Sequence, residues 1–115
     1  MPFLNIYTNS KIDEKTKADF LYDSAVLLAK SLNKPVEHMV INFIKNSDIL
    51  FGNDFEERGA LVELKAIGFP ENKAEIAKVL SKLLAERLEI ELDFVYIEWI
   101  DMSVETVSFG GKFRG

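Results

Sequence analysis

The 18 residues LLAKSLNKPVEHMVINFI (27–44) are repeated 56 positions later as LLAERLEIELDFVYIEWI (83–100). The two segments share six identities, all apolar, which in the first copy are Leu27, Leu28, Ala29, Leu32, Ile41 and Ile44. Each copy starts with apolar residues at helical spacing and ends in a run of strand-forming residues, so each reads as a helix followed by a strand. The sequence therefore predicts an internal repeat whose two units share a core.

A short segment rich in strand formers precedes each copy, FLNIYT (3–8) in the first half and LVELKAI (61–67) in the second. The two halves then predict helices over 13–32 and 71–87, and strands over 37–44 and 94–100. Two βαβ units of this kind give an α+β fold, a four-stranded mixed sheet with two helices on one face. We expect one domain over 1–115, with repeats at about 2–45 and 58–101 and a C-terminal tail at 102–115.

The strand at 37–44 carries apolar residues in consecutive positions, among them Val40, Ile41, Phe43 and Ile44. Because side chains alternate along a strand, these residues place apolar groups on both faces of the sheet. The two helices cover one face only, and leaving a second apolar face in water is costly at about 25 cal/mol per Å². The sequence therefore predicts that the uncovered face is buried by oligomerisation.

Composition excludes several classes of function. The net charge is −5 with scattered basic residues, so we predict no binding to nucleic acid or to a membrane. The chain has no cysteine and one histidine, and we predict no disulfide, no metal site and no cofactor, although the composition leaves metal binding by carboxylates alone open. It has neither a signal-peptide pattern nor an apolar run of the roughly 20 residues that a membrane span needs. The predicted location is the cytoplasm.

Pro2 is a candidate catalytic residue, because removal of Met1 gives an N-terminal proline with a free secondary amine. Burial disfavours the charged form of an amine and lowers its pKa. A neutral amine near pH 7 is a suitable general base toward a carbon acid next to a carbonyl. The dipeptide Met1-Pro2 is common, however, and by itself it predicts little.

Several motifs give the dipeptide more weight, because the chain resembles the macrophage migration inhibitory factor branch of the tautomerase superfamily nearly end to end. The resemblance rests on Met1-Pro2-Phe3, Thr8-Asn9, Asn33-Lys34-Pro35, Ala66-Ile67-Gly68, LLAERL (83–88), Val95-Tyr96-Ile97 and Asp101-Met102. It implies two βαβ repeats assembled as a homotrimer. It also implies keto–enol tautomerisation of aryl 2-oxo acids such as phenylpyruvate, with Pro2 moving the proton.

The same resemblance assigns substrate-binding roles to further residues. Lys34 matches the lysine beside the substrate carboxylate, and Ile67 matches a position whose backbone helps to bind substrate. Tyr96 matches a tyrosine that a neighbouring subunit contributes to the pocket. An apolar wall is implied for three residues of the tail, Val107, Phe109 and Phe113, although Phe113 is out of step by about one residue. Without the resemblance, Lys34 reads as a solvated turn residue and the others as packing residues.

Two departures from the family pattern leave the function open. The Cys-x-x-Cys pair of the vertebrate cytokine is replaced by Gly59-Ala60-Leu61-Val62, so thiol oxidoreductase activity is not implied. Glu98 stands where the cytokine has asparagine, and a carboxylate there disfavours an anionic substrate. The alternatives are a cytokine-like binding or signalling protein with weak activity, acting on a protein receptor after secretion without a signal peptide, and hydration or dehalogenation of a small unsaturated acid.

Overall fold

The computed structural model describes residues 2–46 and 48–113. Its elements, in chain order, are β1 (Phe3–Thr8), α1 (Glu14–Leu32), β2 (Val40–Lys45), β3 (Ala60–Ala66), α2 (Lys73–Leu88), β4 (Val95–Asp101), β5 (Ser108–Phe109) and β6 (Lys112–Phe113). The first four strands form one sheet in the order β2-β1-β3-β4. The outer pairs are parallel and the central pair, β1 with β3, is antiparallel. The predicted α+β fold of two βαβ units with a four-stranded mixed sheet is confirmed.

The offset of 56 residues recurs in the backbone. Helices α1 and α2 end 56 residues apart, at Leu32 and Leu88, and each is followed by a left-handed residue, Asn33 or Glu89. A 3-10 turn then precedes each outer strand, at Val36–His38 and at Leu92–Phe94. The buried helix positions match as well: Phe20, Ser24, Leu28 and Leu32 in α1, and Ile76, Leu80, Leu84 and Leu88 in α2.

The helices cover one face of the sheet. The apolar residues of β1 and β3 on that face are fully buried and form the core together with the buried helix positions; they are Leu4, Ile6, Ala60, Val62, Leu64 and Ala66. In the registers observed, the flanking strands add Ile41 and Phe43 from β2 and Ile97 and Trp99 from β4 to this side.

The opposite face combines the apolar groups expected on it with polar ones. A polar row crosses all four strands in its middle, formed by Asn42, Asn5, Glu63 and Glu98. The rows on either side are largely apolar; one contains Val40, Phe3, Lys65 and Ile100, and the other Ile44, Tyr7, Leu61 and Tyr96. The side chain of Asn5 donates a hydrogen bond to Glu63 at 3.1 Å, which joins the two central members of the polar row. Oligomerisation through this face would therefore bury two apolar bands around a polar one.

The segment preceding β2 differs from the expected strand at 37–44. Residues Val36–His38 form a 3-10 turn, closed by a hydrogen bond from the His38 N–H to the Pro35 carbonyl at 3.1 Å. Pairing with β1 begins only at Val40, whose N–H donates to the Pro2 carbonyl at 3.1 Å. Alternation of side chains in the sequence cannot show where pairing begins, because that depends on the partner strand. Neither helix in the described parts of the chain has the length and apolar character to cross a bilayer.

Candidate active site

Pro2 directly precedes β1, one of the two central strands. It lies at the end of the sheet where β2 also begins and where β3 and β4 end. Its side chain exposes less than 2% of its surface. Its carbonyl accepts the hydrogen bond from Val40, which fixes the first residue of β2 beside it. Met1, whose removal the proposed chemistry needs, lies outside the described residues. A rigid ring is therefore held in a buried position at one end of the sheet.

A groove of about 210 Å³ opens beside this end of the sheet. Its lining is formed by the turn before β2, by the first residue of β2 and by one residue of the tail: Glu37, His38, Met39, Val40 and Phe109. The rings of His38 and Phe109 lie 5.9 Å apart at 51°. Val40 lines the groove and donates its N–H to the Pro2 carbonyl, whereas Pro2, Lys34 and Ile67 are not among the residues that line it.

A small hairpin positions Phe109. Strands β5 and β6 pair antiparallel, and Gly110 and Gly111 form the turn between them with φ of 61° and 79°. This left-handed backbone is the one that two-residue hairpin turns require and that glycine adopts without strain. Phe109 pairs with Lys112, whereas Phe113 pairs with Ser108.

Successive pairs of a hairpin point to opposite faces, so the hairpin directs Phe109 and Phe113 to opposite sides. Phe113 is 67% exposed, and Val107 is buried. Of the three residues expected in the apolar wall, Phe109 lines the described groove, and Val107 and Phe113 do not.

Lys34 and Ile67 lie at the same end of the sheet as Pro2. Lys34 is partly buried in the turn that ends α1, where its N–H donates to the Ala29 carbonyl at 3.0 Å. Ile67 directly follows the last residue of β3, and the following Gly68 N–H donates to the Asp101 carboxylate at 3.0 Å. The structure thus gathers Pro2, Lys34, Ile67 and Phe109 around one sheet end, although they are far apart in sequence.

Tyr96 and Glu98 lie elsewhere. In the observed register Tyr96 on β4 is aligned with Tyr7 on β1, through Leu61 on the strand between them. Tyr7 lies five residues after Pro2, and β4 is two strands away from β1. This separation amounts to about 16 Å along the strands and about 10 Å across them. Both side chains lie on the uncovered face of β4 and both are exposed. A single chain therefore does not bring Tyr96 or Glu98 to Pro2.

His38 lines the groove, although it lies in the segment 37–44 that the sequence predicts as a strand. It lies instead in the exposed 3-10 turn against Phe109. The signal that could have found it is the repeat itself, because His38 occupies the position of Phe94 in the second unit. An ionisable ring therefore replaces an apolar one at equivalent positions.

The two βαβ repeats, the uncovered sheet face and the buried Pro2 at the start of the first strand define a small α+β protein with a candidate site at one end of its sheet. The chain belongs to the macrophage migration inhibitory factor family, whose sequence model matches residues 1–114.

Relatives with curated sequences and solved structures agree with this assignment. The macrophage migration inhibitory factor homolog of Brugia malayi is 32% identical over 117 residues, covering all of both chains. The crystal structure of the homologue from Prochlorococcus marinus superimposes with a TM-score of 0.88 at 21% identity, over 98% of this chain and 99% of that one. A third structure, the R7 fused 4-OT wild-type asymmetric trimer, has a TM-score of 0.84 at 19% identity and covers 96% of this chain and 94% of that one. The two structures support the fold, and the chain has the scaffold of this family's tautomerases and cytokines.

Proposed function

We propose that this protein is a keto–enol tautomerase of aryl 2-oxo acids such as phenylpyruvate, with the Pro2 amine as general acid and base after removal of Met1. The nitrogen takes a proton from the carbon next to the keto group and returns it to the oxygen, or the reverse. Lys34 binds the substrate carboxylate, and the backbone at Ile67 helps to hold the substrate. Phe109, which lines the groove, contacts the aryl ring.

The observation that carries this proposal is the burial of Pro2 beside an open groove. An amine in such a position loses solvation when charged, so its neutral form is favoured and can accept a proton. The ring is also held in place, because Pro2 is anchored to Val40 through its carbonyl. A fixed, poorly solvated amine next to a cavity suits proton transfer at carbon, which needs a base within reach and little competing water.

A homotrimer completes the proposed site. Tyr96 and Glu98 are too far from Pro2 in one chain, so they reach a pocket only as contributions of a neighbouring subunit. The uncovered face of the sheet and its outer strands β2 and β4 provide the surface for such contacts. The fused trimer with the same fold supports three subunits. Mass measurement of the native particle tests this assembly.

The activity is tested by enolisation of phenylpyruvate with wild-type protein and the Pro2→Gly variant. Loss of the secondary amine should lower kcat/KM at least about 100-fold, the usual contribution of a positioned general base. Mass spectrometry of each preparation first establishes that Met1 is absent. An unchanged rate in Pro2→Gly would refute the proline mechanism.

A matched control keeps the proline but blocks its nitrogen. Inserting one alanine between Met1 and Pro2 leaves Pro2 inside a peptide bond after processing, so the variant should be as inactive as Pro2→Gly. Correct folding of both variants is checked by their melting temperatures. If the insertion variant retained the wild-type rate, the free amine would have no role.

The alternative is a cytokine-like binding protein on the same scaffold. A processed, trimeric wild-type protein that fails to accelerate phenylpyruvate enolisation would favour that alternative. Turnover of halogenated acrylates in place of 2-oxo acids would instead favour hydration or dehalogenation.

A further inference from the structure

We propose that Phe51 is a positioning residue of the proposed active site, whose ring holds Tyr96 in the orientation that binds substrate in the neighbouring subunit's pocket. This inference rests on the proposed function, since it concerns a residue to which that function gives a substrate-binding role. The family resemblance gives a role to Tyr96 and none to Phe51, which lies on a different segment of the chain.

The contact between the two rings is a nearly parallel stack. The centroids of Phe51 and Tyr96 lie 6.1 Å apart and the ring planes differ by 12°. Aromatic pairs favour offset stacks with centroids about 4.5–7 Å apart. Phe51 is 6% exposed, whereas Tyr96 is 48% exposed. A buried ring therefore supports one face of a ring whose remaining surface is accessible to a neighbouring subunit.

Phe51 can hold a second ring because three contacts fix its own position. Its ring meets Phe94 edge-on at 6.3 Å and 82°. A Cβ atom at Gly59 would lie 2.8 Å from the Cε1 atom of Phe51, so the ring lies directly against the backbone there. The turn that follows is closed by a hydrogen bond from the Asp54 N–H to the Phe51 carbonyl at 3.3 Å. The Phe51 ring is therefore a rigid support for Tyr96.

The sheet by itself constrains Tyr96 weakly. Because β4 is an outer strand of the described sheet, Tyr96 has a neighbouring strand on one side only, where its register partner is Leu61. Leu61 is itself 49% exposed. A side chain in such a position can occupy more than one staggered rotamer. The stack on Phe51 restricts this choice, and a ring that is already ordered loses less conformational entropy when a substrate binds.

Steady-state kinetics with phenylpyruvate test this role through the Phe51→Leu variant, which keeps an apolar side chain but loses the flat ring. Without the stack, Tyr96 is correctly oriented in a smaller fraction of the pockets, and the apparent affinity falls by that fraction. KM should rise about two- to tenfold, the equilibrium factor of one aromatic pair, while kcat changes less than about twofold. Equal KM values in wild type and Phe51→Leu would overturn the proposal.

The Phe20→Leu variant is the matched control for the loss of a buried ring. Phe20 is fully buried in the core and meets Phe43 edge-on at 6.2 Å. Its replacement should lower the melting temperature as much as Phe51→Leu does and leave KM at the wild-type value. If Phe20→Leu raised KM by the same factor, the effect of Phe51→Leu would be a general loosening of the fold and the positioning role would be wrong.

A Tyr96→Ala background shows whether Phe51 acts through Tyr96. In this background Phe51→Leu should leave KM unchanged, because no ring remains for Phe51 to orient. Effects of residues that act through a shared contact are not additive, whereas those of independent sites are. A further rise in KM, as large as the one in wild type, would mean that Phe51 acts by another route and would overturn the proposal.

Binding without turnover separates a failure of this inference from a failure of the proposed function. The chain has three tyrosines, so ring-labelled tyrosine gives three sets of resonances, of which the Tyr96 set is the one lost in Tyr96→Phe. Phenylpyruvate titrated into the Pro2→Gly variant should shift the Tyr96 resonances, and adding Phe51→Leu should weaken the dissociation constant by the same factor as KM. If Pro2→Gly abolishes turnover but Phe51→Leu leaves this constant unchanged, the role of Phe51 is wrong and the proposed function stands. If Phe51→Leu weakens binding while Pro2→Gly retains full activity, the proline mechanism fails and the role of Phe51 stands.

Discussion

The two 3-10 turns, Val36–His38 and Leu92–Phe94, are equivalent in the repeat but differ in what covers them. The first borders an open groove between His38 and Phe109. The second is closed by Phe51, a buried residue that meets Phe94 edge-on and stacks on Tyr96 at 6.1 Å and 12°. The repeat therefore forms two similar corners of the fold, one at each 3-10 turn. Phe51 fills the second corner, and the first is left open as the groove near Pro2.

Close packing accounts for the filled corner. A Cβ atom at Gly59 would lie 2.8 Å from both the Phe51 ring and the Phe94 carbonyl, so glycine is required for the approach of β3 to this ring. The two 3-10 turns are equivalent in the repeat, and only the segments that pack against them differ. The groove beside the first turn is therefore a property of the tail, which carries Phe109, and not of the repeat.

Removing the Phe51 ring from the filled corner should have the largest effect, a loss of stability. Phe51→Ala removes a buried ring and should reduce the free energy of unfolding by about 3–5 kcal/mol, because a cavity replaces its contacts. Phe55→Ala is the matched control on the same loop; Phe55 is 78% exposed, so its loss should change stability by less than about 0.5 kcal/mol. Denaturant unfolding at one protein concentration measures both. Similar small losses in the two variants would mean that Phe51 does not hold this corner.

The outer strands that follow the two turns differ at one polar position. Glu98 on β4 occupies the repeat position of Asn42 on β2, and both lie in the polar row. Glu98→Asn should raise kcat/KM for phenylpyruvate about fivefold, because it removes a negative charge from the proposed pocket of the neighbouring subunit. Glu105→Gln removes an exposed charge from the tail and should leave the rate unchanged. An unaltered rate in Glu98→Asn would remove Glu98 from the site.

The two helices differ at one buried position, Ser24 in α1 and Leu80 in α2. The Ser24 hydroxyl is fully buried and has no hydrogen-bond partner among the described residues. Ser24→Ala removes this unsatisfied group and adds helix propensity, and we expect a gain of about 0.5–1 kcal/mol in unfolding free energy. Ser31→Ala on the same helix reports propensity alone and should gain less. A loss of stability in Ser24→Ala would show that the hydroxyl is satisfied in solution.

The starts of the helices differ in capping. The Asp13 carboxylate accepts a hydrogen bond from the Thr16 N–H at 2.8 Å, which lowers the pKa of Asp13 below its ordinary value of 3.8. The side chain of Asn72, the residue before α2, makes no such bond. A lowered pKa in the folded state means that the carboxylate contributes stability above pH 3.8 and loses it as pH falls through the folded value.

Asp13→Ala should therefore lower the melting temperature slightly at pH 7 and progressively less below pH 3.8. Asn72→Ala, which removes no capping bond, is the control and should leave the melting temperature nearly unchanged at both pH values. A deficit in Asp13→Ala that stays constant down to pH 2 would contradict the assigned role of the ionised carboxylate.

Local patterns in the sequence determined the repeat, the helices and most strand positions. Both helices end within one residue of their expected limits. Asn33-Lys34-Pro35 ends the first helix after Leu32, and the equivalent position in the second unit, 56 residues later, is Leu88. Apolar spacing on a helix depends on residues three and four apart, and sequence shows such neighbours directly.

Only the tertiary structure decided which candidate residues meet. Strand direction and register bring Pro2, Lys34, Ile67 and Phe109 to one sheet end and place Tyr96 and Glu98 about 16 and 10 Å from it along the strands. The same pairing aligned Asn42, Asn5, Glu63 and Glu98 into a polar row, and the return of the tail set Phe109 against His38. These arrangements come from contacts between residues tens of positions apart, which the periodicity of a single segment does not encode.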